Sequence, residues 1–185
     1  MSLLGYDPAQ YYTGRAPIEA VALGIELGAD DWVFRCNLVT TADNEMMDHS
    51  AGHIPTKEAS QLINELAASI TDDAVRFYTG VSYRHLCVIR GYDFSKITTQ
   101  PPHDIIGAKV SKNLPKGKNA EFLNNLIAQS AQLFQNHPIN GVRSDLGENP
   151  VSSIWLWGQG QKAHLEKFHA KYGKTGAVIT AVDLV

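Results

Sequence analysis

Ile154-Trp155-Leu156-Trp157 places four large apolar side chains in succession. A strand points neighbouring side chains to opposite faces, so this stretch requires cover on both sides. Ala177-Val178-Ile179-Thr180-Ala181-Val182 is nearly as apolar, and a helical pattern with Leu165, Phe168 and Tyr172 inward and Gly173 as terminator lies between the two. Strand, helix, strand with doubly apolar strands predicts a βαβ unit of a parallel sheet. Two parallel strands bury too little to stand alone, so the pattern predicts an interrupted domain whose remaining sheet comes from elsewhere.

Upstream the character differs. Pro17 suits a first helical turn; Ile18, Val21, Ala22 and Ile25 recur at helical spacing, and Gly28 suits the end. Residues 31–39 read as a strand, Asp43-Asn44 as a turn and residues 45–48 as a hairpin arm. Thr56 is expected to cap a helix with Leu62, Ile63, Leu66 and Ile70 on one stripe. Residues 74–78 and 83–89 form a second hairpin pattern, and Asn119 heads the clearest helix, which His137-Pro138 stops. The polar stretch 140–150 reads as a linker and domain boundary.

Net charge is -3, and no basic stripe marks the chain, which argues against nucleic acid and anionic membranes. No apolar run approaches the length of a membrane span, and the start lacks a basic-then-apolar leader, so the cytoplasm is the expected compartment. Cys36 and Cys87 lie in apolar segments outside any CxxC pair and read as two buried free thiols.

Arginines and histidines carry what chemistry is legible. Arg15 follows Gly14 just before a helix, a favourable place for an anion, or it is a plain surface arginine. Arg35 interrupts an apolar strand and shares a face with Asn37, so it has a partner or ligand, or that face is solvated. His49 and His53 lie four apart, but Gly52 and Pro55 argue for a loop over a metal-binding helix, one that presents imidazoles to an anion or carries two solvated histidines. Arg84 and His85 point to opposite faces; His103 is held by Asp104, or both simply cap the next turn; Arg143 reads as linker charge. No nucleophile elbow, phosphate loop or zinc helix is present in the sequence.

Several strings resemble the archaeal-type cofactor-independent phosphoglycerate mutases of the alkaline phosphatase superfamily. They are Ser2-Leu3-Leu4-Gly5-Tyr6-Asp7-Pro8, Tyr12-Thr13-Gly14-Arg15-Ala16-Pro17, Phe34-Arg35-Cys36-Asn37-Leu38-Val39, Asp48-His49-Ser50-Ala51-Gly52-His53-Ile54, Tyr83-Arg84-His85, Pro102-His103-Asp104, Asn149-Pro150 and Ser153-Ile154-Trp155-Leu156-Trp157-Gly158-Gln159-Gly160. The resemblance implies interconversion of 3-phosphoglycerate and 2-phosphoglycerate through a phosphorylated serine, with two divalent ions of the manganese or magnesium kind. It implies an α/β fold in three parts: residues 1–28 as a strip of the catalytic core, 29–150 as an inserted substrate-binding domain with a mostly antiparallel sheet, and 151–185 as a returning β-α-β strip.

The resemblance also places the nucleophilic serine just upstream of the segment matched by Ser2, and the metal ligands further upstream and beyond Val185. It therefore implies no catalytic residue, no bound metal and no turnover for these residues alone. It assigns phosphoglycerate contacts to Arg35, His49 and Arg84, and further contacts to Arg15, Asn37, His53, His103, Asp104 and Arg143. Trp155 and Trp157 are expected on exposed or self-paired strands, giving association between copies through sheet edges. The alternatives are a non-catalytic phosphate-binding module and part of a homoserine-kinase-like phosphotransferase.

Overall fold

The computed structural model describes residues 4–162 and 166–177. Its spine is strand β1 (Trp32–Ala42), buried along most of its length and therefore covered on both faces. Along one edge β1 pairs with β4 (Arg84–Ile89), which pairs in turn with β3 (Val75–Tyr78). Along the other edge it pairs with β7 (Ser153–Gln161), and β2 (Glu45–Asp48) folds back on its last residues. All four pairings are antiparallel, and β5 (Ile97–Thr98) and β6 (Lys116–Gly117) form a separate antiparallel pair, so the fold is α/β with a mainly antiparallel sheet, as expected.

Both expected hairpins form. The turn into β2 puts Asp43 and Asn44 at φ 50° and 62°, the left-handed pair that matches strand twist. On one face of the sheet lie Phe34, Cys36, Leu38, Cys87, Ile89, Ile154 and Leu156. Helix α3 (Thr56–Ser69) covers them with Leu62, Ile63 and Leu66; helix α5 (Ala120–Phe134) does so with Leu123, Leu126, Ile127 and Phe134. Each such side chain contributes about 2 kcal/mol by leaving water, which makes this layer the main source of stability. Cys36 and Cys87 lie inside it as free thiols, and burial pushes both pKa values up.

The described partner of β7 is β1, and the parallel partner expected for β7 lies outside the described residues. β7 is antiparallel to β1 over Trp32–Val39, and Trp155 and Trp157 are buried, not exposed. A doubly apolar strand reports two covered faces, and a central antiparallel strand between two layers satisfies that as well as a parallel one. Leu165 and the strand expected from Val178 onward lie outside the described residues. Helix α7 (Phe168–Tyr172) is present, and Gly173 closes it at φ 63°.

Three smaller expectations also change. Thr56 is the first residue of α3, not its cap, and its hydroxyl accepts from Ser82 N. Asn119 occupies the cap position of α5, but its amide donates to Asp93 O. The supposed linker opens with helix α6 (Pro138–Asp145), where Asn140 is buried and bonded to Phe134 O and to both backbone polar atoms of Val151. Its polarity serves interior backbone, and so reads as exposure in the sequence.

Helix α2 (Arg15–Ala22) covers part of the sheet's second face. It buries Ala16, Pro17 and Ala20 and leaves Val21 exposed, and it ends well before Gly28. Small residues won over the larger apolar ones because the helix sits directly on backbone. A Cβ added at Gly14 would collide with Gln159 O, and one at Gly160 with Thr13 O. Among the described residues no helix is long and apolar enough to cross a membrane.

Candidate functional site

The sheet's second face is apolar only in patches. Ala16, Ala20 and Leu27 cover Val33, Leu86 and Val88 at one end. Val39, Met46, Ile105, Trp155 and Trp157 pack together at the other. Between them along β1 stand Arg35 and Asn37, both buried. A guanidinium placed there needs partners, and the surrounding elements supply them.

Glu19, one turn beyond Arg15 on α2, accepts from Arg35 Nε at 2.9 Å and lies 3.5 Å from Arg15 Nε. It therefore meets both arginines along their Nε edges. The Arg35 guanidinium lies over the Trp157 ring, 4.4 Å from its centroid, and Arg15 reaches the same ring at 5.9 Å. Burial lowers the Arg35 pKa; Glu19 opposes that shift, and the like charges of Arg15 and Arg84 add to it. Three arginines thus act on one another with Glu19 as the carboxylate bonded among them.

Asn37 is used at both ends. Its Oδ1 accepts from Trp157 Nε1 at 3.1 Å, and its Nδ2 donates to His49 O at 3.2 Å. From there an aromatic belt runs outward. His103 meets Trp157 at 5.2 Å and His49 at 6.0 Å between ring centroids; Tyr83 meets His49 at 5.7 Å and His53 at 5.9 Å. Arg84 extends over Tyr83 at 5.7 Å.

The belt borders a cleft of about 550 Å³ lined by Gly14, Arg15, Thr99, His103, Trp157 and Gln159, among others. A β-bulge in β7, where Trp157 faces Arg35 and Gly160 faces Val33, shapes this wall. Gly158 sits in the bulge at φ 62°, a conformation that favours glycine. Thr99 donates to Gln159 Oε1, and Gln159 Nε2 donates to Ile97 O, which ties the bulge to the loop carrying His103.

The histidine loop is fixed from behind. Ala51, Gly52 and His53 have φ of 47°, 67° and 52°, a left-handed run that needs support. Asp48 supplies part of it by accepting from Ser50 N, Ser50 Oγ, Gly52 N and Asn149 Nδ2. Burial alone would raise the Asp48 pKa, but these bonds outweigh it and bring the value down to about 2. Arg143, fully buried, supplies the rest through Ala51 O, Asn149 O, Glu58 and Glu148.

Of the residues singled out in the sequence, Arg15, Arg35, Asn37, His49, His53, Arg84 and His103 are brought to one surface. Asp104 stands beside His103 at 3.6 Å and is exposed. Arg143 is not linker charge: its donors serve the loop's own backbone and two glutamates. Sequence reading missed Glu19, Tyr83 and Trp157 as members of the site. For Glu19 the i,i+4 spacing from Arg15 was the available signal. The resemblance places the ligands of a two-metal centre outside these residues. No group of three or more His, Cys, Asp or Glu able to hold a metal ion exists among the described residues.

Comparison with known proteins follows the same lines. The profile of the family described as 2,3-bisphosphoglycerate-independent phosphoglycerate mutase matches residues 1–140. Proteins of that description from Methanosarcina mazei and Methanosarcina acetivorans are 50% and 48% identical to the chain; each match covers all of this chain and 47% of the relative. The chain thus spans about half the length of the curated relatives it matches. A solved cofactor-independent phosphoglycerate mutase from Thermoplasma acidophilum superposes with a TM-score of 0.72 at 26% identity, over 100% of this chain and 51% of that one.

Proposed function

The chain belongs to the 2,3-bisphosphoglycerate-independent phosphoglycerate mutase family, and from that premise we propose that these residues form the substrate-holding part of the mutase, gripping the anionic groups of phosphoglycerate. The observation that carries this reading is the convergence of Arg15, Arg35 and Arg84 on one surface with Glu19 as the carboxylate bonded among them. Excess fixed positive charge in a half-buried cleft is what a phosphate or carboxylate compensates.

Each residue then has a task. Arg35 and Arg15 are held by Glu19 through Nε, which leaves their terminal nitrogens as the donors to an incoming oxyanion. Arg84, exposed at the rim, steers and then contacts the second anionic group. His49 and His103 add donors from the belt, and His53 borders them. Asn37 aligns the His49 backbone with the Trp157 ring. Asp104 orients His103, and Arg143 acts from behind by holding the loop. No step is assigned to a metal, since no group of three or more His, Cys, Asp or Glu able to hold one lies among the described residues. These residues alone are proposed to bind phosphoglycerate without turning it over.

Calorimetric titration with 3-phosphoglycerate tests the reading. The chain should bind, and Arg35→Ala should weaken binding by about tenfold or more. Absence of binding to the unaltered chain, or equal binding by Arg35→Ala, overturns it. Mutase turnover by the purified chain supplied with manganese would overturn the division of labour.

A further inference from the structure

The site contains one large side chain whose position is otherwise unaccounted for. Trp157 is 4% exposed, yet it lines the cleft. Arg35 lies across the ring at 4.4 Å, Arg15 reaches it at 5.9 Å, and the ring of His103 approaches at 5.2 Å in a near edge-on arrangement. Its Nε1 is bonded to Asn37 Oδ1. Arg15 Nε is itself buried with no hydrogen bond among the described residues, where the ring and the Glu19 carboxylate are what hold that guanidinium.

We propose that Trp157 is a positioning residue for anion binding, a π-platform that sets the Arg35 guanidinium and the His103 ring at the angles from which they meet the ligand. This rests on the substrate-holding reading above and deepens it. The physical basis is directional. A desolvated guanidinium gains from lying on an indole face, and an arginine so seated keeps its in-plane donors aimed outward. Glu19 fixes one edge of Arg35 and the ring fixes its plane, so two constraints determine where the terminal nitrogens point. The bulge at Gly158 places the ring there, since the Trp157–Arg35 pairing is the last before the register shifts. An apolar residue of similar size would fill the same space with no preference for the guanidinium plane.

The test compares Trp157→Phe, which keeps an aromatic face, with Trp157→Met, which keeps apolar bulk alone. Cooperative thermal melting of each variant establishes that it folds. In titration with 3-phosphoglycerate, Trp157→Phe should stay within about threefold of the unaltered chain, and Trp157→Met should bind about tenfold more weakly. Equal affinity for Trp157→Met and the unaltered chain would overturn the proposal. A second readout needs no ligand: the ¹H–¹⁵N signal of Arg35 Nε–H, protected by its 2.9 Å bond to Glu19. It should persist in Trp157→Phe and be lost to exchange in Trp157→Met. If the unaltered chain fails to bind 3-phosphoglycerate while this pattern holds, the substrate reading falls and the positioning role stands. If the signal is unchanged in Trp157→Met, the positioning role falls whatever the affinity.

Discussion

Arg143 Nη2 donates to Ala51 O at 2.8 Å across 92 residues of sequence. Ala51 is the first of three consecutive residues in the left-handed region, so the bond fixes the loop at its most strained point. The loop carries His49 and His53, and Arg143 lies behind it with no free edge toward the cleft. An arginine in a polar stretch thus serves the site as a support.

Arg143→Ala should therefore lower stability before it lowers affinity. The carbonyls of Ala51 and Asn149 would lose a charged donor, at about 1 kcal/mol or more each, while Glu58 and Glu148 are exposed enough to rehydrate. The expected loss is about 2–3 kcal/mol in urea unfolding. Arg143→Lys should recover little of it, because one ammonium cannot serve these separated acceptors in plane. A change within 0.5 kcal/mol would show that the loop holds itself.

Asp48 supports the same loop through the loop's own backbone. Asp48→Asn keeps the size but loses an anionic acceptor for two backbone donors and a hydroxyl. Affinity for 3-phosphoglycerate should fall about threefold to tenfold as the His49 backbone loosens, with a loss of about 1–2 kcal/mol in stability. The folded-state pKa is depressed, so this contribution is present above pH 3.8 and is lost as pH falls toward about 2. Asp48→Asn should thus match the unaltered chain in stability only in strong acid.

His85 gives a pH dependence in a milder range. It is buried on the core face; its Nδ1 accepts from Gly80 N, and its Nε2 has no partner among the described residues. Burial pushes its pKa down from 6.5 to about 4, with the Ser82 backbone opposing. The unfolded chain therefore takes up the proton first as acid is added. Stability attributable to neutral His85 is complete above pH 6.5 and declines by roughly 3 kcal/mol by about pH 4. Denaturant midpoints measured across that range should slope accordingly, and His85→Gln should flatten the slope. An equal slope in the variant would assign the acid sensitivity elsewhere.

Residue pattern revealed α2, α3, α5 and both hairpins, because alternation and helical spacing record which side of each element is buried; the mostly antiparallel sheet came from the family resemblance, and α6 was read as a linker. Pattern was silent on what covers a face. Ile154 to Trp157 read as a parallel strand since cover by helices and cover by a second layer leave the same apolar signature. Arg35 was visible as a charge in an apolar strand, and Asn37 followed from strand geometry. Glu19 and Trp157 were not, since each acquires its role only when α2 and β7 are laid against β1, which joins Arg35 to Glu19 across 16 positions and to Trp157 across more than 100. Arg143 misled because local polarity reports composition, whereas burial of its guanidinium depends on α6 docking behind the histidine loop.

That docking of α2 on β7 is itself open to test. Gly160 faces Thr13 O, and a Cβ there has no room because the obstacle is backbone, not a flexible side chain. Gly160→Ala must push the start of α2 away from the sheet, carrying Arg15 and Glu19 with it. Stability should fall by about 1–3 kcal/mol, the usual cost of overpacking. Affinity for 3-phosphoglycerate should fall further than that of Gly141→Ala, a control where an added Cβ meets nothing within 4 Å. If Gly160→Ala binds as the control does, the α2 arginine and its glutamate do not set the anion site, and Arg35 holds it without them.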